Sequence, residues 1–154
     1  MIDLYAFVAE SNRIEGIERP PLDAEVEVHE ALLALDRLRP ADIENFVRVV
    51  ADAPLRRHPG MDVWVGPHTP PPGGPEVVTR FAQLVADVNA LARDPWAMHV
   101  AYETLHPFLD GNGRSGRALW AWQTAHEGRD PFLRPFLHTA YYQALDACRR
   151  GGDR

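Results

Sequence analysis

The chain is nearly without cysteine, Cys148 being the only one. It cannot close an internal disulfide, and no metal site built on several thiolates is available, so packing alone must hold the fold. Long hydrophobic runs are missing too. No stretch approaches the ~18 consecutive apolar residues of a membrane-crossing helix, and no membrane partner is expected. The opening "MIDLYAFVAESN" has neither a cationic leader nor an apolar signal core, so the chain reads as cytoplasmic. Excess positive charge is also lacking. The formal net charge is -6, which excludes a broad electrostatic footprint for nucleic acid. No internal repeat is visible, and His29, His99, His126 and His138 show no HExxH or other metal spacing.

What is present is punctuation. Fourteen prolines and eleven glycines divide a chain long enough for one core and short for two. "IDLYAFVAESNRIEGI" is a short periodic helix stopped at Gly16. "PLDAEVEVHEALLALDRL" offers Val26, Leu32, Leu33 and Leu35 as a buried stripe. "PADIENFVRVVADA" opens with Pro40 and Asp42 and closes at Pro54. "PEVVTRFAQLVADVNALA" starts at Pro75 and turns Val78, Phe81, Leu84, Val85 and Val88 inward. "DPWAMHVAYETLHPF" carries Asp94 as its cap and Pro95 at its first position. A further helix runs from Gly113 to Glu127 and stops at Gly128, and "PFLRPFLHTAYYQALDACRR" closes the domain. These patterns predict an all-α domain over residues 1–150, with a loose tail at 151–154. Residues 55–74 differ: "MDVWVG" alternates weakly and "GPHTPPPGGP" cannot be regular, which predicts a short β-hairpin flap followed by a rigid proline-rich link.

The densest chemistry lies in "HPFLDGNGRSGR", residues 106–117. "DGNG" between two helical patterns is a turn whose glycines permit backbone angles other residues avoid. Successive N–H groups in such a turn, followed by a helix start, form an anion nest. Arg114 and Arg117 are three apart and share a helix face, where guanidinium forks grip phosphate oxygens. Asp110, just before the nest, is placed to hold a hard divalent cation. His106 ends the preceding helix and suits a general base near neutrality. Phe108 would pin the loop into the core. A lone "GNGR" is a common turn; the conjunction of these groups is what points to a polyphosphate.

These residues resemble the complete signature of the Fic (Fic/Doc) family, enzymes that mostly transfer AMP from ATP to protein hydroxyls. The resemblance implies a Fic-like helical domain and a protein adenylyltransferase using ATP and Mg²⁺. Its substrate would be a protein carrying a Ser, Thr or Tyr hydroxyl, and many relatives pair as homodimers. His106 would be the base, Asp110 the metal ligand, Gly111, Asn112 and Gly113 the α- and β-phosphate binders, and Arg114 and Arg117 the holders of the distal phosphates. "SNRIEG" resembles the family's inhibitory helix, so residues 1–17 would inhibit in the same chain, with Ser11 and Glu15 as the motif residues and Glu15 pairing with Arg117. A carboxylate there would take the place of the γ-phosphate and misalign the α-phosphate for in-line attack. The flap residues Val63, Trp64 and Val65 would clamp the target by main-chain bonds at a strand edge. Two alternatives stand beside this one: a Fic-fold transferase of another group, such as phosphate or another nucleotide, and a non-catalytic nucleotide-binding interaction domain. His58 and His68 read as incidental. Trp96, Trp120 and Trp122 read as core, and Tyr5 and Tyr141 as hydroxyls open to self-modification.

Overall fold

Helix caps written into the sequence set the architecture. In the computed structural model, which describes residues 3–133 and 138–151, with the side chains of 138–140, 142, 143 and 151 left aside, the chain forms seven helices. These are α1 (Leu4–Ile14), α2 (Asp23–Leu33), α3 (Pro40–Val50), α4 (Pro75–Asn89), α5 (Pro95–Leu105), α6 (Asn112–His126) and α7 (His138–Gly151). Asp3 caps α1 by accepting from Ala6 N at 2.8 Å, and Asp94 caps α5 by accepting from Ala97 N at 3.0 Å. Each satisfies an amide that has no acceptor inside its own helix. Asp42 reaches back to Arg39 N at 2.8 Å and fixes the start of α3. Gly16, at φ 77°, turns the chain away after α1. His138 and the tail from residue 152 on fall outside what the structure describes in side-chain or backbone detail.

Helices α5 and α6 pack on each other at the centre. α4 lies against α5, α2 and α3 lie against α6, and α1 spans α2, α6 and α7. The main core gathers Phe46 and Val47 of α3, Phe81 and Val85 of α4, Tyr102 and Leu105 of α5, Trp122 of α6, and Phe108 from the α5–α6 loop. Burying each such side chain contributes about 1.5–3 kcal/mol before entropy is counted. A second cluster joins Ile14 of α1 to Tyr141 and Leu145 of α7. No helix among the described residues is long and apolar enough to cross a membrane.

The structure corrects one expectation and extends two others. No β-hairpin flap forms: among the described residues of 55–74 there is no strand, only isolated bridges between Leu55 and Phe108 and between Val65 and His68. Val65 and His68 exchange two 3.0 Å backbone bonds around Gly66-Pro67. The ladder cannot lengthen because Pro70, Pro71 and Pro72 supply no N–H on the returning side. Of the stripe expected at α2, Leu32 is buried in the main core and Leu33 and Leu35 pack half-buried against it, with Val26 half-buried. The fully buried residues of α2 also include the polar Glu25 and His29. On α4 the fully buried residue of the first turn is Val77, with Val78 half-buried.

Candidate active site at the α5–α6 loop

Pro107 disfavours helical angles at the residue before it, and His106 leaves α5 in the left-handed region, at φ 51° and ψ 64°. Its own N–H still donates to Tyr102 O at 2.8 Å, so the histidine is held at the very end of the helix. The loop that follows is tied at every turn. Phe108 is fully buried, edge-on to Phe81 at 5.4 Å. The Asn112 side chain takes both backbone groups of Phe108, accepting from its N–H and donating to its C=O, each at 2.8 Å. Ser115 Oγ bonds Gly111 O and Tyr102 OH, both at 2.7 Å. Gly111 sits at φ 79°, and a Cβ there would lie 2.8 Å from the Ala51 Cβ. Both the angle and the close approach of α3 therefore require glycine.

The underside of the loop rests on Arg56, which sequence reasoning passed over. This fully buried guanidinium donates to His106 O at 2.7 Å, Leu105 O at 2.9 Å and Pro71 O at 2.7 Å. The Arg56 backbone N–H donates to Pro107 O at 2.8 Å. One side chain thus binds the end of α5 to the proline-rich segment. Nothing in "PLRRHPG" distinguishes Arg56 from its exposed neighbour Arg57. His68 also proves structural, its Nε2 bonding Thr104 O at 2.8 Å.

Burial holds the His106 imidazole well below its ordinary range, at about 4, against the upward pull of its bond to the Glu103 backbone. The ring is therefore neutral at pH 7. Its Nδ1 lies 3.3 Å from Glu103 O. A carbonyl oxygen can only accept, so Nδ1 carries the proton and Nε2 keeps its lone pair.

Arg117 is fully buried and gripped from α1. Nε donates to Ser11 Oγ at 2.9 Å, and Nη2 donates to Ser11 O at 2.9 Å and to Glu15 Oε1 at 2.6 Å. The Tyr141 ring lies 5.0 Å from the guanidinium carbon. Nη1 is buried with no hydrogen-bond partner among the described residues. The Glu15 carboxylate lies over Gly113, where a Cβ would overlap Oε1. An anion thus already sits at the N-terminus of α6, where the first amides of a helix have no internal acceptors. Arg114 is placed differently: it is buried with Nη1 on Val50 O at 2.6 Å, tying α6 to the end of α3. Behind α1, Asn12 and Arg19 both bond Glu25, at 3.1 Å and at 3.0 and 2.8 Å.

Asp110 is exposed at the tip of the loop, one oxygen accepting from Gly111 N at 2.7 Å. No group of three or more His, Cys, Asp or Glu among the described residues could hold a metal by itself. A lone carboxylate fits magnesium in one setting, where phosphates and water supply the remaining oxygens. The unpartnered Arg117 Nη1 and the face of Gly113, which the Glu15 carboxylate now covers, fit such a phosphate chain once that carboxylate is withdrawn. The remaining predicted residues lie apart: Trp64 is 73% exposed, with Val63 and Val65 half-buried beside it. Tyr5 is exposed, whereas Tyr141 is buried with its hydroxyl 2.5 Å from His99 Nε2, so it is not the open hydroxyl expected.

The fold and this loop together define an all-helical domain with an anion site at one helix N-terminus and a neutral histidine at the end of the helix before it. A model of the Fic/DOC family matches residues 26–124, well over half of the chain, and the protein belongs to that family of enzymes. The match contains the whole of 106–117 and leaves Ser11 and Glu15 outside it. A search of curated proteins finds no match.

Proposed function

We propose that this protein is a protein adenylyltransferase that moves AMP from ATP to a Ser, Thr or Tyr hydroxyl of a protein and is held inactive by its own Glu15. The observation that carries the reading is the Glu15 carboxylate on Arg117 above Gly113. It marks an anion site one loop away from a neutral histidine. With Glu15 withdrawn, Arg117 and the amides of Gly111, Asn112 and Gly113 would receive the phosphates of ATP, and Arg114 would hold the first turn of α6 in register. His106 Nε2 would take the proton of the target hydroxyl. The hydroxyl oxygen then bonds to the α-phosphorus as its bond to pyrophosphate breaks. Asp110 would hold Mg²⁺, which when bound neutralises phosphate charge. The protein substrate would be met at Val63, Trp64 and Val65 by the exposed indole, since no strand edge is offered there.

The test is incubation of the full chain with Mg²⁺, ATP labelled at the α-phosphate, and a cell lysate. Wild type, Glu15→Gly and His106→Ala are compared. Strong protein labelling in Glu15→Gly, weak in wild type and none in His106→Ala is expected. Silence in all three, with γ-labelled ATP also silent, would sink the reading and leave a nucleotide-binding interaction domain. Label from the γ-position alone would identify a phosphotransferase.

A further inference from the structure

The site also contains a buried acid that the motif does not account for. Glu103 is 3% exposed, in the last turn of α5, three residues before His106, so the two share a helix face. Its Oε2 lies 3.8 Å from His106 Nδ1. Its Oε1 is buried with no hydrogen-bond partner among the described residues. Gly116 lets that oxygen lie where it does, since a Cβ there would overlap Oε1. Arg149 approaches the same residue but donates to its backbone oxygen, at 3.0 Å. An unsatisfied buried carboxyl is costly, and nothing in the packing calls for one.

We propose that Glu103 is a positioning residue for His106, its carboxylate holding the proton on Nδ1 and balancing the charge the ring acquires when Nε2 takes the target's proton. At rest the Nδ1–H faces the Glu103 carbonyl oxygen at 3.3 Å, with the carboxylate on the same side at 3.8 Å. During transfer the target's O–H proton moves to Nε2, the oxygen–phosphorus bond forms, and the bond to pyrophosphate breaks. The imidazolium then leans its Nδ1–H toward Oε2, and later returns the Nε2 proton to pyrophosphate or water. Glu103 gains and loses no atom. The catalytic part of this inference rests on the adenylyltransferase reading; the pairing of ring and carboxyl does not.

The pair is enclosed by charges from every side: Arg117 of α6, Glu15 after α1, Arg149 and Tyr141 of α7, and Arg56 and His68 of the 55–74 segment. Burial raises the Glu103 carboxyl to about 7, with Arg117 opposing and Glu15 assisting. Its ionised form, the one able to balance an imidazolium, therefore grows as pH rises through about 7.

The experiment follows the His106 ring by NMR in the full chain carrying isotope-labelled histidine, with His106→Ala supplying the assignment. Wild-type His106 should show the Nδ1–H tautomer and a shift step near pH 7, where Glu103 ionises. In Glu103→Gln, which keeps the shape, that step should vanish while the ring's own protonation near pH 4 remains. A wild-type ring with no step near 7 overturns the inference without any variant, and an identical step in Glu103→Gln overturns it equally. In the Glu15→Gly background, Glu103→Gln should label protein roughly 10-fold or more slowly, at unchanged half-saturating ATP and with the fall in rate below neutrality lost. An unchanged rate and pH profile would refute the positioning role. Absence of label from every variant, with the ring's step present, would remove the adenylyltransferase reading and leave the histidine–carboxyl pair standing.

Discussion

Removing the Glu15 carboxylate should make the protein less stable and more receptive to nucleotide at once. The Glu15–Arg117 bond is 2.6 Å long, between a guanidinium with no exposed surface and a carboxylate 28% exposed. A charged hydrogen bond of this kind contributes about 1.5–3 kcal/mol, and the partial exposure of Glu15 argues for the lower half of that range. In a chain of this size, 1 kcal/mol corresponds to about 2–4 °C, so Glu15→Gly should melt about 3–9 °C below wild type without ligand. MgATP should more than reverse the loss. A ligand at about 100 times its Kd adds roughly 2.7 kcal/mol. In the variant all of that appears as stability, because Arg117 is open. In wild type part is consumed in displacing Glu15. Thermal unfolding of both proteins, with and without MgATP, reads these terms and needs no target protein. Equal ATP-induced shifts in the two proteins would refute the idea that Glu15 and the phosphates compete for Arg117. An unchanged melting temperature in the ligand-free variant would refute the weight given to the ion pair.

Arg56→Ala should lower stability by roughly 3–5 kcal/mol, since it leaves the carbonyls of Leu105, His106 and Pro71 unpaired beneath the loop; urea unfolding measures it, and a loss under about 1 kcal/mol would show the brace to be dispensable. Gly111→Ala and Gly16→Ala share a positive φ, but only the first meets another atom, the Ala51 Cβ. Gly16→Ala should cost about 1–2 kcal/mol and Gly111→Ala clearly more, a difference visible in paired urea midpoints. Acid should weaken the fold through buried histidines: burial holds His29 at about 4 and His99 at about 3 against an ordinary 6.5. The unfolded chain takes up protons the folded chain refuses, so their contribution is complete above pH 6.5 and is lost as pH falls to 3–4. Glu25, held at about 2 chiefly by Arg19, adds a further loss between 4.5 and 2 that Arg19→Ala should reduce in unfolding curves across pH, the bonds from Leu22 N and Asn12 remaining. Glu103 has the opposite sign. Its protonated form stabilises fully below 4.5 and that share is lost as pH rises through about 7, so Glu103→Gln should gain on wild type above neutrality in the same measurement.

The helices were legible because their signals are local. Pro40, Asp42, Asp94, Pro75, Pro95 and Gly16 act within one turn of where they stand, and each does in the structure what its type permits. The hairpin failed because strand propensity in "MDVWVG" concerns a pair, and its partner segment is proline, which cannot donate. Periodicity found Leu32, Leu33 and Leu35 of the α2 region but not its buried polar residues. Glu25 is bonded by Arg19 and Asn12, and His29 Nδ1 meets the Glu25 carbonyl oxygen, polar contacts that an apolar-stripe rule does not register.

The α5–α6 loop shows the same division at finer scale. That chemical groups crowd into 106–117 is plain in the sequence. Which of them the fold itself uses is not. The Asn112 side chain holds Phe108 and Arg114 Nη1 holds Val50, so both shape the loop, while Arg114 Nε and Arg117 Nη1 are buried without a hydrogen-bond partner among the described residues. The glycines divide in the same way. Gly111 lets α3 come close, Gly113 lets the Glu15 carboxylate lie on the backbone, and Gly116 leaves room for the Glu103 carboxyl. Spaces left by side chains that are absent therefore place an acid against Arg117 and another beside the histidine. Neither space can be seen in the sequence without knowing which helix lies across it.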